Sequence, residues 1–158
     1  MVGNDCAKKI AEALLEITGT AMLAGDFDTF AACFQLPHFI STADNKTVLE
    51  TPEDLRETFL RVREDYLRKQ VTDMVRHCDV AAFRDPDTIA VAHTTHLLSG
   101  NYRVTAPYPC YSIMEHRDGV WRVSSSQYAV DTSTSVGHAL HVHAERKIRQ
   151  QSKVRNSE

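Results

Sequence analysis

The stretch GDFDTFAACFQLPHFISTADNKTVLETPEDLRETF, residues Gly25–Phe59, decides the fold. Gly25 is suited to a left-handed backbone that ends a preceding helix. Asp26 is a capping residue for a short second helix with an apolar face of Phe27, Phe30, Ala31 and Phe34. Pro37 stops that run. Phe39 to Thr42 and Thr47 to Leu49 read as a short strand pair around a turn at Asp44-Asn45-Lys46. Thr51-Pro52-Glu53-Asp54 then opens a third helix: a cap, a proline at the first position, and acids that complement the helix dipole. Leu55, Phe59, Val62 and Tyr66 form its buried stripe.

Upstream, a first helix is expected from about Asp5 to Leu23, with Ile10, Leu14, Ile17 and Ala21 at helical spacing and Leu15 and Met22 beside them. Downstream, the pattern changes to strands over Val71–Phe83, Thr88–Leu98, Val104–His116 and Val120–Val130. Gly100-Asn101 and Asp118-Gly119 between them are two-residue hairpin signals. Successive hairpins make an antiparallel meander with one face to cover, and the three helices are the cover.

This order resembles the nuclear transport factor 2-like superfamily, in particular its SnoaL-like members. The resemblance spans about residues 8–131. It rests on element order and on Asp87-Thr88-Ile89-Ala90-Val91 and Asp118-Gly119-Val120-Trp121-Arg122-Val123. It implies an α+β cone, three N-terminal helices on a curved, mainly antiparallel sheet around an internal pocket. The superfamily includes proton-transfer enzymes such as ketosteroid isomerase and scytalone dehydratase, polyketide cyclases, and non-catalytic binding or assembly domains. SnoaL-like enzymes often carry a carboxylate where this chain has Gln35-Leu36-Pro37-His38.

Bulk composition narrows the classes. One domain is expected from 158 residues, over 1–131, followed by a tail over 132–158 for which a helix is one reading. A net charge of -3 gives no reason to expect nucleic acid as a partner. No apolar run is long enough to span a bilayer, and no signal-peptide pattern opens the chain, so a cytoplasmic protein without a membrane partner is expected. Cys6, Cys33, Cys78 and Cys110 have no paired spacing and read as free thiols. No cofactor and no metal are expected. His138 and His141 share a helical spacing, with His143 nearby, but no third ligand is spaced to complete a site. Glu145–Glu158, with Arg146, Lys147, Arg149, Lys153 and Arg155, reads as a frayed, solvated end.

Hairpin arithmetic assigns faces. If Arg117 pairs with Val120, then Trp121 and Val123 share the inner face with His116, Met114, Ser112, Cys110 and Tyr108, and Ser125 and Gln127 follow. Glu115, Arg122, Ile113, Tyr111, Ser124 and Ser126 fall outside. Pairing Ser99 with Tyr102 sets His93 opposite Tyr108 and turns Ile89, Val91, His93 and Thr95 inward, with His96 outward. The strand before Pro86 has two readings. In one, Val75, His77, Asp79, Ala81 and Phe83 face in, and His77, Asp79 and His93 converge as an acid–base group. In the other, Met74, Arg76, Cys78, Val80 and Ala82 face in, and Arg76 is placed to take an anionic ligand.

The candidate catalytic residues are therefore His93, His77, Asp79 and His38, and the candidate ligand-binding residues are Tyr108, Cys110, Ser112, Gln127, Trp121 and Met114. His38 is either a base or donor at the pocket mouth or a partly exposed histidine bonded to backbone. His93 with Tyr108 is either a functional pair or a mutually satisfied buried one. Cys110 has no base near it in sequence, which argues against a nucleophile. The leading expectation is a small-molecule-binding protein with a largely apolar pocket. The alternatives are a cofactor-independent isomerase, dehydratase or cyclase, and a pure assembly domain. A homodimer through Tyr111, Ile113 and Tyr128 on the outer sheet face is also expected.

Overall fold

The structure of the protein, a computed structural model, describes residues 2–157, with side chains for 3–141 and 147–157. Helix α1 covers Val2–Ala24, α2 Phe27–Ala31, α3 Pro52–Arg68 and α4 Ser135–Arg155. The strands are β1 Phe34–Ser41, β2 Lys46–Leu49, β3 Asp73–Asp85, β4 Thr88–Ser99, β5 Tyr102–Arg103, β6 Tyr108–Arg117 and β7 Val120–Tyr128. One sheet runs in the order β2-β1-β7-β6-β4-β3, with β5 paired to β4. The β1–β7 pair is parallel, and every other pair is antiparallel.

The helix ends follow the local chemistry. Asp26 accepts from the Thr29 amide at the start of α2. Thr51 and Asp54 form a reciprocal capping box at α3. The second helix is shorter than its apolar spacing predicts: it stops at Ala31, and Phe34 opens β1. Pro37 lies inside that strand, following a cis Leu36-Pro37 bond. The apolar stripe of α1 is also rotated. Ala7, Ala11, Leu14, Leu15 and Thr18 are buried, while Ile17 is largely exposed.

Two apolar clusters fill the cone. One gathers Met22, Ile40, Leu49, Leu55, Phe59, Val62, Tyr66 and Leu97, with Phe27, Phe30 and Phe34 packed on it. Phe30 and Phe59 rings lie 4.8 Å apart, and Phe27 and Phe59 5.4 Å apart. The other sits between α1 and the sheet: Ala7, Ala11, Leu14, Leu15, Ile89, Val91, Met114 and Val123. Val136, Ala139 and Leu140 of α4 join the first cluster, so the segment expected as a tail packs onto α3. Lys147 Nζ binds Asp54 Oδ2 at 3.0 Å, and His141 Nε2 lies 2.9 Å from Thr42 Oγ1. His138 is exposed and His141 is fully buried, so they share no face. The His143 and Arg146 side chains lie outside the described ones. No group of metal-ligating side chains gathers among the described residues. No described helix is long and apolar enough to cross a membrane.

Register decides the faces. From Arg117↔Val120 to Met114↔Val123 the hairpin pairs as its turn predicts. Ser124 is then extra, its Oγ donating to the Ile113 carbonyl, and the ladder resumes at Ile113↔Ser125. This bulge reverses the face of everything after it. Ser126 and Tyr128 turn inward, and Ser125 and Gln127 turn outward. A second bulge falls at Asp79, between Cys78↔His93 and Val80↔Ala92. Neither expected reading of this strand holds throughout: Met74, Arg76 and Cys78 face in before the bulge, and Ala81 and Phe83 face in after it.

Candidate functional site

A cavity of about 90 Å³ lies between the helices and the concave face of the sheet. Its apolar wall comes from Met22 of α1, Phe30 of α2, Leu55, Phe59 and Val62 of α3, and Val136 and Leu140 of α4. Its polar wall comes from Thr18 of α1, His38 of β1, Arg76 of β3, His93 and Thr95 of β4, and the tyrosines Tyr66, Tyr108 and Tyr128. A second space of about 30 Å³ adjoins it, bounded by Ser112, Met114, Val123 and Ser126. Thr18, Phe34, Arg76, His93 and Tyr128 line both.

His93 is where the face argument places it, inside and only 4% exposed. Its neighbour differs. His93 pairs with Cys110, and Tyr108 pairs with Thr95. The β4–β5 ladder ends at Leu98↔Arg103, and the chain spends two residues more than the hairpin count before β6 rejoins. Tyr108 is inside, near Tyr66, with which its hydroxyl is hydrogen bonded. Burial raises both phenols well above their ordinary value. Tyr128 is pushed up to about 12 by burial, against a hydrogen bond with Ser126. All three are neutral donors at pH 7.

Burial lowers His93 to about 4, helped by the Arg76 charge and opposed by Asp79. Its Nδ1 is buried and has no hydrogen-bond partner. His38 is also lowered to about 4 by burial, against the hydrogen bond to Val123. It is 2% exposed rather than at a pocket mouth. Between Phe34↔Val123 and Phe39↔Ser125 the parallel ladder skips, and this irregularity swings His38 under the sheet. Both its ring nitrogens are engaged, by the Val123 carbonyl and the Ser126 hydroxyl.

His77 and Asp79 are corrections to the inward acid–base group. Both are exposed on the outer face. His77 faces His96, ring centres 5.6 Å apart, and Asp79 accepts from Thr94 Oγ1 at 2.8 Å. The bulge keeps the Asp79 charge in water, where burial beside apolar Ala81 and Val91 would cost several kcal/mol. Gln127 is likewise exposed, because the Ser124 bulge turns it out and brings Tyr128 in. Tyr128 is therefore no part of the outer face.

Of the other expected ligand contacts, Ser112 and Met114 are buried and bound the second space. Cys110 is buried behind the cavity wall, with Thr95 Oγ1 3.5 Å from its sulfur. Burial pushes its thiol up to about 11, which keeps it protonated. Trp121 lies at the far end of the cone against Phe83 and His116, away from the cavity.

Arg76, Tyr66 and Tyr128 are the chemistry-bearing residues that sequence reasoning left off the site. Arg76 was visible in one of the two strand readings, and Tyr66 in the stripe of α3. Nothing local announces the bulge that redirects Tyr128. Arg76 donates to the Leu15 carbonyl and to Thr18 Oγ1. Gly19 makes room for it: a Cβ there would stand 3.1 Å from its Nη2.

No protein-family model matches the sequence, and no curated protein matches it. Solved structures do match the fold. A protein of unknown function from Shewanella oneidensis described as NTF-2 like superimposes with a TM-score of 0.62 at 11% identity, covering 77% of this chain and 98% of that one. A domain of unknown function with a cystatin-like fold from Nostoc punctiforme gives 0.63 at 12%, covering 97% and 98%. A ketosteroid isomerase-like protein from Erwinia carotovora atroseptica gives 0.55 at 17%, covering 77% and 94%. Identities this low carry the fold alone. The chain has the nuclear transport factor 2-like, cystatin-like α+β cone fold.

Proposed function

We propose that the protein binds a small, largely apolar molecule inside the cone. One observation carries this reading: an internal cavity of about 90 Å³ whose wall is mostly aromatic and aliphatic, with a few polar groups such as His93, Arg76 and Thr58 on it. The ligand is small or enters with some displacement of α4, since cavities that hold drug-sized ligands run to about 300 Å³ or more. The test is a crystal structure of protein purified without added ligand and then exposed to xenon. Xenon or carried-over density between Phe59 and His93 supports the reading. A cone packed solid with side chains sinks it and leaves an assembly domain.

Acid–base chemistry is the second reading, favoured by the unpartnered Nδ1 of His93. It ranks lower because an imidazole held near 4 is a weak base at neutral pH. A homodimer through the outer sheet face is proposed as well. Phe39, Ser125, Ile113, Ala90 and Ala82 lie in one outward row by register, and Val80, Ala92 and Tyr111 in the next. Phe39 and Val80 are each more than half exposed. Light scattering that shows only monomer at high concentration removes this proposal.

A further inference from the structure

Arg76 is a half-buried cation with no ion-pair partner among the described residues. Its side chain reaches from β3 to α1, lining the cavity on one side and an open groove with Glu12 and Glu16 on the other, and desolvation pushes its guanidinium below the ordinary value. Its hydrogen-bond partners in the protein are both neutral, the Leu15 carbonyl and the Thr18 hydroxyl. No Asp or Glu among the described residues forms an ion pair with it. The groups that feel its charge include Tyr128, Tyr66, Cys110, Tyr108 and His93, all neutral at pH 7. A guanidinium has five donors in a planar fork, and both bonds within the protein run from Nη2, which leaves its other N–H groups open to a ligand. A charge held largely out of water is costly unless an opposite charge meets it.

The surroundings specify that charge. Arg76 stands where the larger, apolar space meets the smaller one. The smaller space is bounded by Ser112 and Ser126, and His93 with its unpartnered Nδ1 borders both spaces. The polar end is therefore compact and carries one positive charge, since His93 and His38 are neutral there. A monoanion neutralises it, whereas a dianion such as phosphate leaves net charge in an apolar chamber. Carboxylate matches the guanidinium fork in charge, planarity and bidentate geometry. The rest of the larger space is lined mainly by Phe30, Phe59, Leu55 and Leu140, with Thr58 the polar exception, which suits a short aliphatic or aromatic body.

Resting on the binding reading above, we infer that the ligand is a small monocarboxylate, its carboxylate paired with Arg76 and its apolar body under α3 and α4. Arg76 is then the anchor that orients the molecule, and Thr18 and Gly19 of α1 hold the anchor in place.

The test is a titration by calorimetry and ligand-observed NMR with butyrate and benzoate, each against its uncharged isostere, butyramide and benzamide, and with benzene as an apolar probe. The expected result is at least tenfold tighter binding of each carboxylate than of its amide. Arg76→Met is expected to lose that preference while still taking up benzene. Equal binding of acids and amides, with benzene bound, overturns the carboxylate assignment and leaves the binding reading standing. Failure of all five probes to bind overturns both. If Arg76→Met does not fold, the acid–amide comparison on the unaltered protein decides, with contacts from butyrate to the His93 and Tyr108 rings expected by NMR.

Discussion

Ser126 Oγ lies 3.2 Å from His38 Nε2, while His38 Nδ1 lies 3.2 Å from the Val123 carbonyl. A carbonyl only accepts, so Nδ1 carries the proton and Nε2 accepts from the serine hydroxyl. This arrangement locks a neutral imidazole into the sheet floor, and it explains why His38 is structural here. His38 and His93 are both held near 4 in the folded protein, below the 6.5 of a free histidine. Between those values the unfolded chain binds more protons, so stability rises with pH. It is complete above about 6.5 and is lost as pH falls toward 4. The loss is on the order of 3 kcal/mol per histidine by pH 4. Urea unfolding at pH 7.0 and pH 4.5 measures it, and His38→Gln is expected to reduce the slope by about one proton. An unchanged slope in that variant disproves the assignment.

His77 and Asp79 sit outside the cone, so they are expected to be silent in the site. His77→Ala and Asp79→Ala each should change stability by no more than about 0.5 kcal/mol, the usual range for surface positions. Benzoate or benzene titration of both variants should match the unaltered protein. A tenfold loss of binding in either would show that the strand carries the other face inward in solution.

Arg63 of α3 closes the end of α1. Its Nη1 donates to the Met22 and Leu23 carbonyls, each at 2.8 Å. The Met22 carbonyl otherwise accepts only a 3.3 Å bond from the Gly25 amide at the helix end, and a cation there also complements the dipole. Arg63→Ala is expected to cost about 2 kcal/mol, with Arg63→Lys recovering part of it. Thermal and urea denaturation of both variants checks this, and a loss within error for Arg63→Ala would contradict it.

The start of α4 has no room for a side chain at Gly137. A Cβ there would stand 2.0 Å from the Asp131 carbonyl oxygen and 2.9 Å from Thr134 Oγ1, the cap of the helix. Gly137→Ala must move the start of α4, whose first two turns carry Val136 and Leu140 over the cavity. Amide exchange in α4 is expected to rise at least tenfold while the β4, β6 and β7 amides keep their protection. Uniform loss of protection across the sheet would instead mean that α4 is part of the cooperative core.

The elements and their order were legible in the sequence because their signals are local. Asp26, Thr51-Pro52 and the two hairpin turns act within a few residues of where they stand. The inner placement of Val91, His93 and Thr95 was legible too, since β4 alternates without interruption from Thr88 to Leu98. Where β3 and β7 depart from alternation, the prediction fails at one residue in each. Asp79 and Ser124 are single extra residues, and each reverses the side chains that follow it, as far as Phe83 in β3 and Tyr128 in β7. No local propensity marks them. Both bulges satisfy demands from elsewhere: water for Asp79 and a carbonyl partner for the Ser124 hydroxyl.

The site divides the same way. Sequence alone determined that this chain builds a helix-covered meander and that His93, Tyr108 and Ser112 face its interior. Tertiary structure decided that Arg76 and Tyr128 join them, that His77, Asp79 and Gln127 do not, and that α4 closes the chamber. The physical reason is that a strand's period of two transmits any one-residue irregularity along its whole length, while the cost that selects the irregularity lies in packing and solvation across the sheet.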